Sequence, residues 1–101
     1  MDDHVHVRIR GHSMWPTYTD GQIVTFRLTK DASALTAGSV VLAQHPLKAD
    51  VKVVKRIRHV EDDGRFFLEG DHPDPLGSED SHNFGSVKPA AILAVADEDE
   101  A

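Results

Sequence analysis

The chain of 101 residues contains no cysteine. Disulfide staples, thiolate zinc sites and a cysteine nucleophile are therefore excluded. Positive charge is also scarce: 11 Lys and Arg stand against 17 Asp and Glu, for a formal net charge of −6. A general nucleic-acid binder needs a basic face, and an anionic membrane surface would repel such a chain. Long apolar runs are missing, since no window approaches the roughly 20 apolar residues of a membrane-spanning helix. The N-terminus, Met1-Asp2-Asp3-His4-Val5-His6-Val7, has neither the basic start nor the apolar stretch of a signal peptide. The expectation is a soluble, cytoplasmic protein with no membrane anchor and no nucleic-acid partner. Its apolar content of 40% is enough to close one small core and not two. Residues 1–96 are accordingly expected to form a single domain, followed by a solvated acidic tail at 97–101.

From His4 to Arg10 the residues alternate, with Val5, Val7 and Ile9 on one face and His4, His6, Arg8 and Arg10 on the other, the period of a half-buried strand. The strand runs into Gly11-His12-Ser13-Met14-Trp15-Pro16-Thr17, where a glycine, one serine, an apolar pair and a proline interrupt regular structure. Such a bend can present the Ser13 hydroxyl while Met14 and Trp15 anchor the turn or wall a pocket. An ordinary turn between two strands fits the same residues. His4, His6 and His12 can be drawn together around a metal, but no carboxylate or cysteine stands at ligand spacing, so solvated side chains are the simpler reading. No metal and no cofactor is expected.

After the turn signal Asp20-Gly21, Gln22 to Leu28 reads as a second strand with Val24, Phe26 and Leu28 on one face. Thr29 to Gly38 reads as a loop. Ser39 to Gln44 is continuously apolar in its centre, which suits a strand covered on both faces, and His45-Pro46 ends it. In Val51 to Arg58, alternation puts Val51, Val53, Lys55 and Ile57 on one face. Lys55 is then the lysine that falls among apolar neighbours, where desolvation lowers an amine pKa. A surface-seeking side chain, or a pair with Asp71 or Asp80, accounts for the same pattern. Asp63-Gly64 marks a hairpin, and Arg65 to Glu69 returns antiparallel. Gly70 to Gly85 is a long polar loop, and Ala90 to Ala96 closes the domain as a strand. The fold class is all-β, mainly antiparallel, with little helix.

With no thiol present, the nucleophile candidates are hydroxyls. Several histidines are available as base, but a Ser-Lys dyad fits better. An unperturbed lysine must drop by roughly 3 pKa units, on the order of 4 kcal/mol, to act as a base near neutral pH. Burial of Lys55 on an apolar strand face can supply a shift of that size.

Taken in order, Gly11-x-Ser13-Met14-x-Pro16-Thr17, Asp20-Gly21, Gly38-x-Val40-Val41, Val54-Lys55-Arg56-Ile57, Gly70-Asp71, Ser78-x-Asp80-Ser81 and Phe84-Gly85-x-Val87 resemble the conserved boxes of type I signal peptidases. These serine-lysine endopeptidases share a β fold with the self-cleaving domains of LexA-like repressors. Val40 to Pro46 and Asp63 to Leu68 are most similar to the maturation peptidases of nickel-type superoxide dismutases. The resemblance implies removal of a leader from a nickel superoxide dismutase precursor, with no metal in the protease. It implies Ser13 as nucleophile, Lys55 as general base, Ser78 orienting Lys55, Asp80 bracing the loop, and Met14 and Pro16 shaping the substrate groove. Gly11 stands where some relatives carry a serine that serves the oxyanion. His72 and His82 stand where relatives commonly have asparagine and arginine. Other readings are a signal peptidase-like protease with another substrate, a non-catalytic peptide-binding relative, a nickel or copper carrier built on His4, His6 and His12, and a self-cleaving repressor domain.

Overall fold

The computed structural model describes residues 3–74 and 79–96. Six strands form one antiparallel sheet: β1 (His4–Arg8), β2 (Ile23–Leu28), β3 (Val40–Gln44), β4 (Lys52–Val60), β5 (Phe66–Glu69) and β6 (Ile92–Ala96). Their spatial order is β1-β2-β6-β3-β4-β5. The last strand therefore enters the middle of the sheet, pairing with β2 on one side and β3 on the other. All five pairings are antiparallel, so the expected all-β class is observed. The expected tail at 97–101 lies outside the described residues.

Alternation along β3 explains why one sheet can carry two apolar clusters. Successive side chains point to opposite faces. Val41 and Ala43 enter a cluster with Ile57, Phe66, Leu68, Val87, Ile92 and Val95. Val40, with Leu42 beside it, enters another with Ile9, Met14, Val24, Phe26, Ala94 and Ala96. The unbroken apolar run of β3 is thus the signature of a strand buried on both sides. In β2 the alternation holds for Val24 and Phe26, but Leu28 ends the strand exposed, at 47%.

Turn chemistry sets the registers. Gly64 adopts φ +89° between β4 and β5, and Arg65 N–H donates to Asp63 Oδ1, so Asp63-Gly64 closes the hairpin as its residue types require. Between β1 and β2 the chain instead projects a long loop. Its base is closed by Ile9 N–H donating to Gln22 C=O and Gly21 N–H donating to Ile9 C=O.

The polar stretch after β5 is not a plain loop. It contains the one-turn helix α1 (Ser81–Phe84), capped by Asp80, whose carboxylate accepts from His82 N–H while Asn83 Oδ1 accepts from Asp80 N–H. This reciprocal capping offsets the unpaired N–H groups that make so short a helix unfavourable alone. The outer edge of β5 is covered by the same stretch: Phe66 exchanges two backbone hydrogen bonds with Val87, and Ser81 Oγ accepts from Leu68 N–H at 2.8 Å. At the opposite side of the sheet, β1 pairs with β2 alone among the described residues.

Phe66 is fully buried where β5, the Val87 bridge and the first cluster meet. Phe66→Ala is expected to cost about 3–5 kcal/mol in urea unfolding, a large part of the roughly 5–15 kcal/mol that holds such a domain together. A loss below about 1 kcal/mol would mean that this cluster does not carry the fold.

Candidate active site

Ser13 sits on the loop between β1 and β2, and the loop is fastened at several points. Gly11 takes φ +81°, which favours a residue without Cβ, and its N–H donates to Asp20 Oδ1 at 2.7 Å. Trp15 N–H donates to His12 C=O and Tyr18 N–H to Met14 C=O, forming a compact turn. Met14, 1% exposed, is sunk into the second cluster and pins that turn to the sheet. Trp15 stays on the surface, its ring centroid 5.9 Å from that of His72. Ser13 C=O accepts from His72 N–H at 3.0 Å.

Lys55 reaches Ser13 from β4. The side chain is buried, 5% exposed, and Nζ lies 2.9 Å from Ser13 Oγ. It is the buried lysine among the described residues, on the strand face shared with Val53 and Ile57, as alternation predicts. Burial pushes the Lys55 amine below its usual value of 10.5, against the opposing pull of the Asp80 and Glu79 charges. A protonated amine donates to Oγ; a neutral one accepts the hydroxyl proton of Ser13 along the same 2.9 Å line.

Asp71 is not the partner of Lys55. Its carboxylate takes two hydrogen bonds from Arg56, Nε to Oδ1 at 2.9 Å and Nη2 to Oδ2 at 2.8 Å, and a third from Thr17 Oγ1 at 2.5 Å. Burial raises the Asp71 pKa, but these bonds and the charges of Arg56 and Arg58 outweigh it and hold the carboxyl below its ordinary value. The cluster ties the Ser13 loop, through Thr17, to the residue next to Lys55. It thereby links the segments that carry Ser13 and Lys55.

Asp80 is 5% exposed and committed to the loop it caps. Oδ1 accepts from His82 N–H at 3.0 Å and lies 2.8 Å from His82 Nδ1, and Oδ2 accepts from Gly70 N–H at 3.3 Å. Next to it, Glu79 Oε1 lies 2.8 Å from Nε2 of the buried His45. Leu47 N–H donates to His45 Nδ1 at 3.0 Å, so the imidazole proton is assigned to Nε2, which donates to Glu79. The hydrogen bond from His45, then the charge of Lys48, holds the Glu79 carboxyl below its ordinary value. The loop after β5 is thus secured on both sides of residues 75–78. Ser78, assigned by resemblance to orient Lys55, lies outside the described residues.

Ser13 and Lys55 open into a groove of about 520 Å³, lined in part by Ile9, Met14, Leu42 and Val54. Met14 contributes to it, whereas Pro16 is not among its lining residues. A larger concavity of about 620 Å³ contains neither Ser13 nor Lys55, and its arginines are already paired, Arg56 with Asp71 and Arg58 with Glu69. His6 Nδ1 lies 3.1 Å from Thr25 Oγ1. No group of three His, Cys, Asp or Glu suited to a metal occurs among the described residues.

Sequence reasoning overlooked the His45–Glu79 pair and the Thr17–Asp71–Arg56 cluster. His45-Pro46 was legible as a strand end alone, and nothing local links positions so far apart. The capping signal Asp80-x-x-Asn83 was present in the sequence.

The family model described as Peptidase S24-like matches residues 1–80, which include Ser13, Lys55 and Asp80. No curated protein matches the chain. The chain belongs to the Peptidase S24-like family, and its antiparallel sheet is the β fold of that peptidase family.

Burial of Lys55 has a consequence for stability that separates a functional amine from a structural one. Below its lowered native pKa, folding must bury an ammonium; in the unfolded chain the amine stays protonated up to about 10.5. Between those values the unfolded state binds more protons, so stability rises with pH. Lys55→Met is therefore expected to be at least as stable as the wild type in urea unfolding at pH 7, with the difference shrinking as pH rises toward 10. A variant markedly less stable at pH 7 would contradict this.

Proposed function

We propose that the chain is a serine endopeptidase in which Ser13 is the nucleophile and Lys55 the general base. The observation that carries this reading is the 2.9 Å approach of a buried lysine Nζ to a serine Oγ at the head of an open groove. Membership of a peptidase family supports the reaction class. Lys55 Nζ takes the Oγ proton as Oγ attacks the scissile carbonyl, and then delivers it to the departing amine as the C–N bond breaks. Water, deprotonated by the same amine, attacks the resulting ester, and the ammonium returns that proton to Ser13 Oγ as the acyl C–O bond breaks, releasing the acid and regenerating the serine. Among the described residues the Ser13 N–H is engaged in no hydrogen bond and can donate to the oxyanion. The Gly11 N–H is committed to Asp20 and cannot serve as a second donor.

Ser78 orients Lys55 in this reading. Support comes from the fixed residues around it: Lys55 senses the charges of Glu79 and Asp80, which immediately follow position 78. Asp80 braces that loop through Gly70 and His82. The substrate is an extended peptide added beside the groove to the edge of β1 that no second strand pairs among the described residues, the mode in which backbone hydrogen bonds give affinity and pockets give specificity. The substrate protein proposed is the leader-bearing precursor of a nickel superoxide dismutase, on the resemblance of Val40 to Pro46 and Asp63 to Leu68 to its maturation peptidases.

Intact-mass spectrometry of that precursor, incubated with the chain, is expected to show one cut that removes the leader. Ser13→Ala and Lys55→Ala should each reduce the rate by about 10⁴-fold or more while the far-ultraviolet spectrum is unchanged. Cleavage retained by either variant would overturn the dyad. An uncut precursor, with another peptide cut by the wild type alone, would overturn the dismutase assignment and keep the dyad.

A further inference from the structure

The groove that holds Ser13 and Lys55 carries charge that the proposed chemistry does not use. Its floor is apolar, but Arg8, Arg10 and Lys52 also line it, and none of its lining residues is a carboxylate. All three cations are exposed, and among the described residues none is engaged in an ion pair. Elsewhere the arginines of β4 and its hairpin are matched: Arg56 with Asp71, Arg58 with Glu69, Arg65 with Asp63. In a chain of net charge −6, one groove without an anion is a local reversal of sign.

Distance decides whether that reversal survives the charge of the whole. Ionic screening at physiological salt acts over about 8 Å, so a segment seated in the groove responds first to the cations that line it, Arg8, Arg10 and Lys52, with Asp80 and Glu79 felt at Lys55 opposing them. Alternation adds direction: Arg8 stands on one face of β1, which pairs with β2 alone among the described residues, and Arg10 follows two residues beyond its end, while Val5 and Val7 pack on the second cluster. An extended peptide on that edge presents every second side chain to the same arginines.

Resting on the peptidase reading, we infer that this groove selects an acidic peptide segment, with Asp or Glu side chains set against Arg8, Arg10 and Lys52 and an apolar side chain against the floor. Rim charges of this kind serve selection and encounter more than total affinity. Three exposed pairs correspond to a preference of about tenfold at low salt.

The test uses the uncleaving Ser13→Ala chain and three fluorescent peptides of equal length with one apolar core, flanked by Glu, Gln or Lys. Anisotropy titration at 25 mM salt is expected to rank Glu above Gln above Lys, with the Glu advantage of about tenfold collapsing at 500 mM salt. In the same background, Arg8→Gln, Arg10→Gln and Lys52→Gln together should erase the ranking, and the three Glu substitutions should reverse it. Equal binding of the three peptides, no binding of any, or a ranking untouched by the Gln variant overturns the inference. Binding that appears only after residues 97–101 are removed also overturns it, because the chain's own acidic tail is then the occupant. Wild-type chain incubated with the same peptides separates the two readings. Ranked binding without cleavage sinks the peptidase reading, whereas cleavage of all three at one rate sinks the acidic preference alone.

Discussion

An ammonium group withdrawn from water costs several kcal/mol unless something compensates it, and the centre of this protein is a lysine placed in that position. Lys55 is buried on a strand face with Val53 and Ile57 as neighbours, and its amine meets Ser13 Oγ at 2.9 Å. Releasing the proton relieves the cost, which is why burial drives the pKa down, in the direction that the proposed base needs. Asp80 and Glu79 pull the other way, but both are spent on other partners. Asp80 caps α1 and accepts from Gly70, and Glu79 accepts from His45. The β core therefore sets the lysine's acidity as well as the fold, since burial is the largest cause of the lowered pKa.

Desolvation is useful only if the serine arrives in register, and the rest of the molecule supplies that register. Met14 anchors the Ser13 turn from below, while Asp71 gathers Thr17 and Arg56 from behind. His72 N–H holds the carbonyl of Ser13 itself. These contacts come from the loop between β1 and β2, the middle of β4 and the segment after β5. Ser13 and Lys55 are thereby held by long-range bonds rather than by the intrinsic preference of a loop. The insertion of β6 between β2 and β3 completes the arrangement, because it joins the half of the sheet that carries Ser13 to the half that carries Lys55.

The parts of this design that obey a local period were readable in the sequence. Alternation around Lys55 foretold its apolar surroundings, the continuous run in β3 foretold burial on both faces, and Asp63-Gly64 foretold the hairpin. Ser13 stood out through the residues that interrupt the strand before it. What escaped was set by pairing across distance. The placement of β6 in the middle of the sheet depends on which strands find it, and its own residues say nothing about that. Asp71 looked like a partner for Lys55 until the fold placed Arg56 and Thr17 on both of its oxygens. His45 read as a strand terminator and emerged as the buried anchor of Glu79. The cap of α1 was written locally, in Asp80 and Asn83, inside a stretch whose polarity suggested a loop.

The proposed mechanism needs Lys55 to give up its proton more readily than an ordinary lysine does, and the titration of its own Cε carbon reports this most directly. With lysine labelled with carbon-13, and Lys55→Met used to assign the signal, nuclear magnetic resonance should show a Lys55 midpoint below the 10.5 of an ordinary lysine. The exposed lysines supply the comparison within the same sample. A Lys55 signal that titrates together with them would mean that the amine stays charged, and the buried dyad could not work as a base.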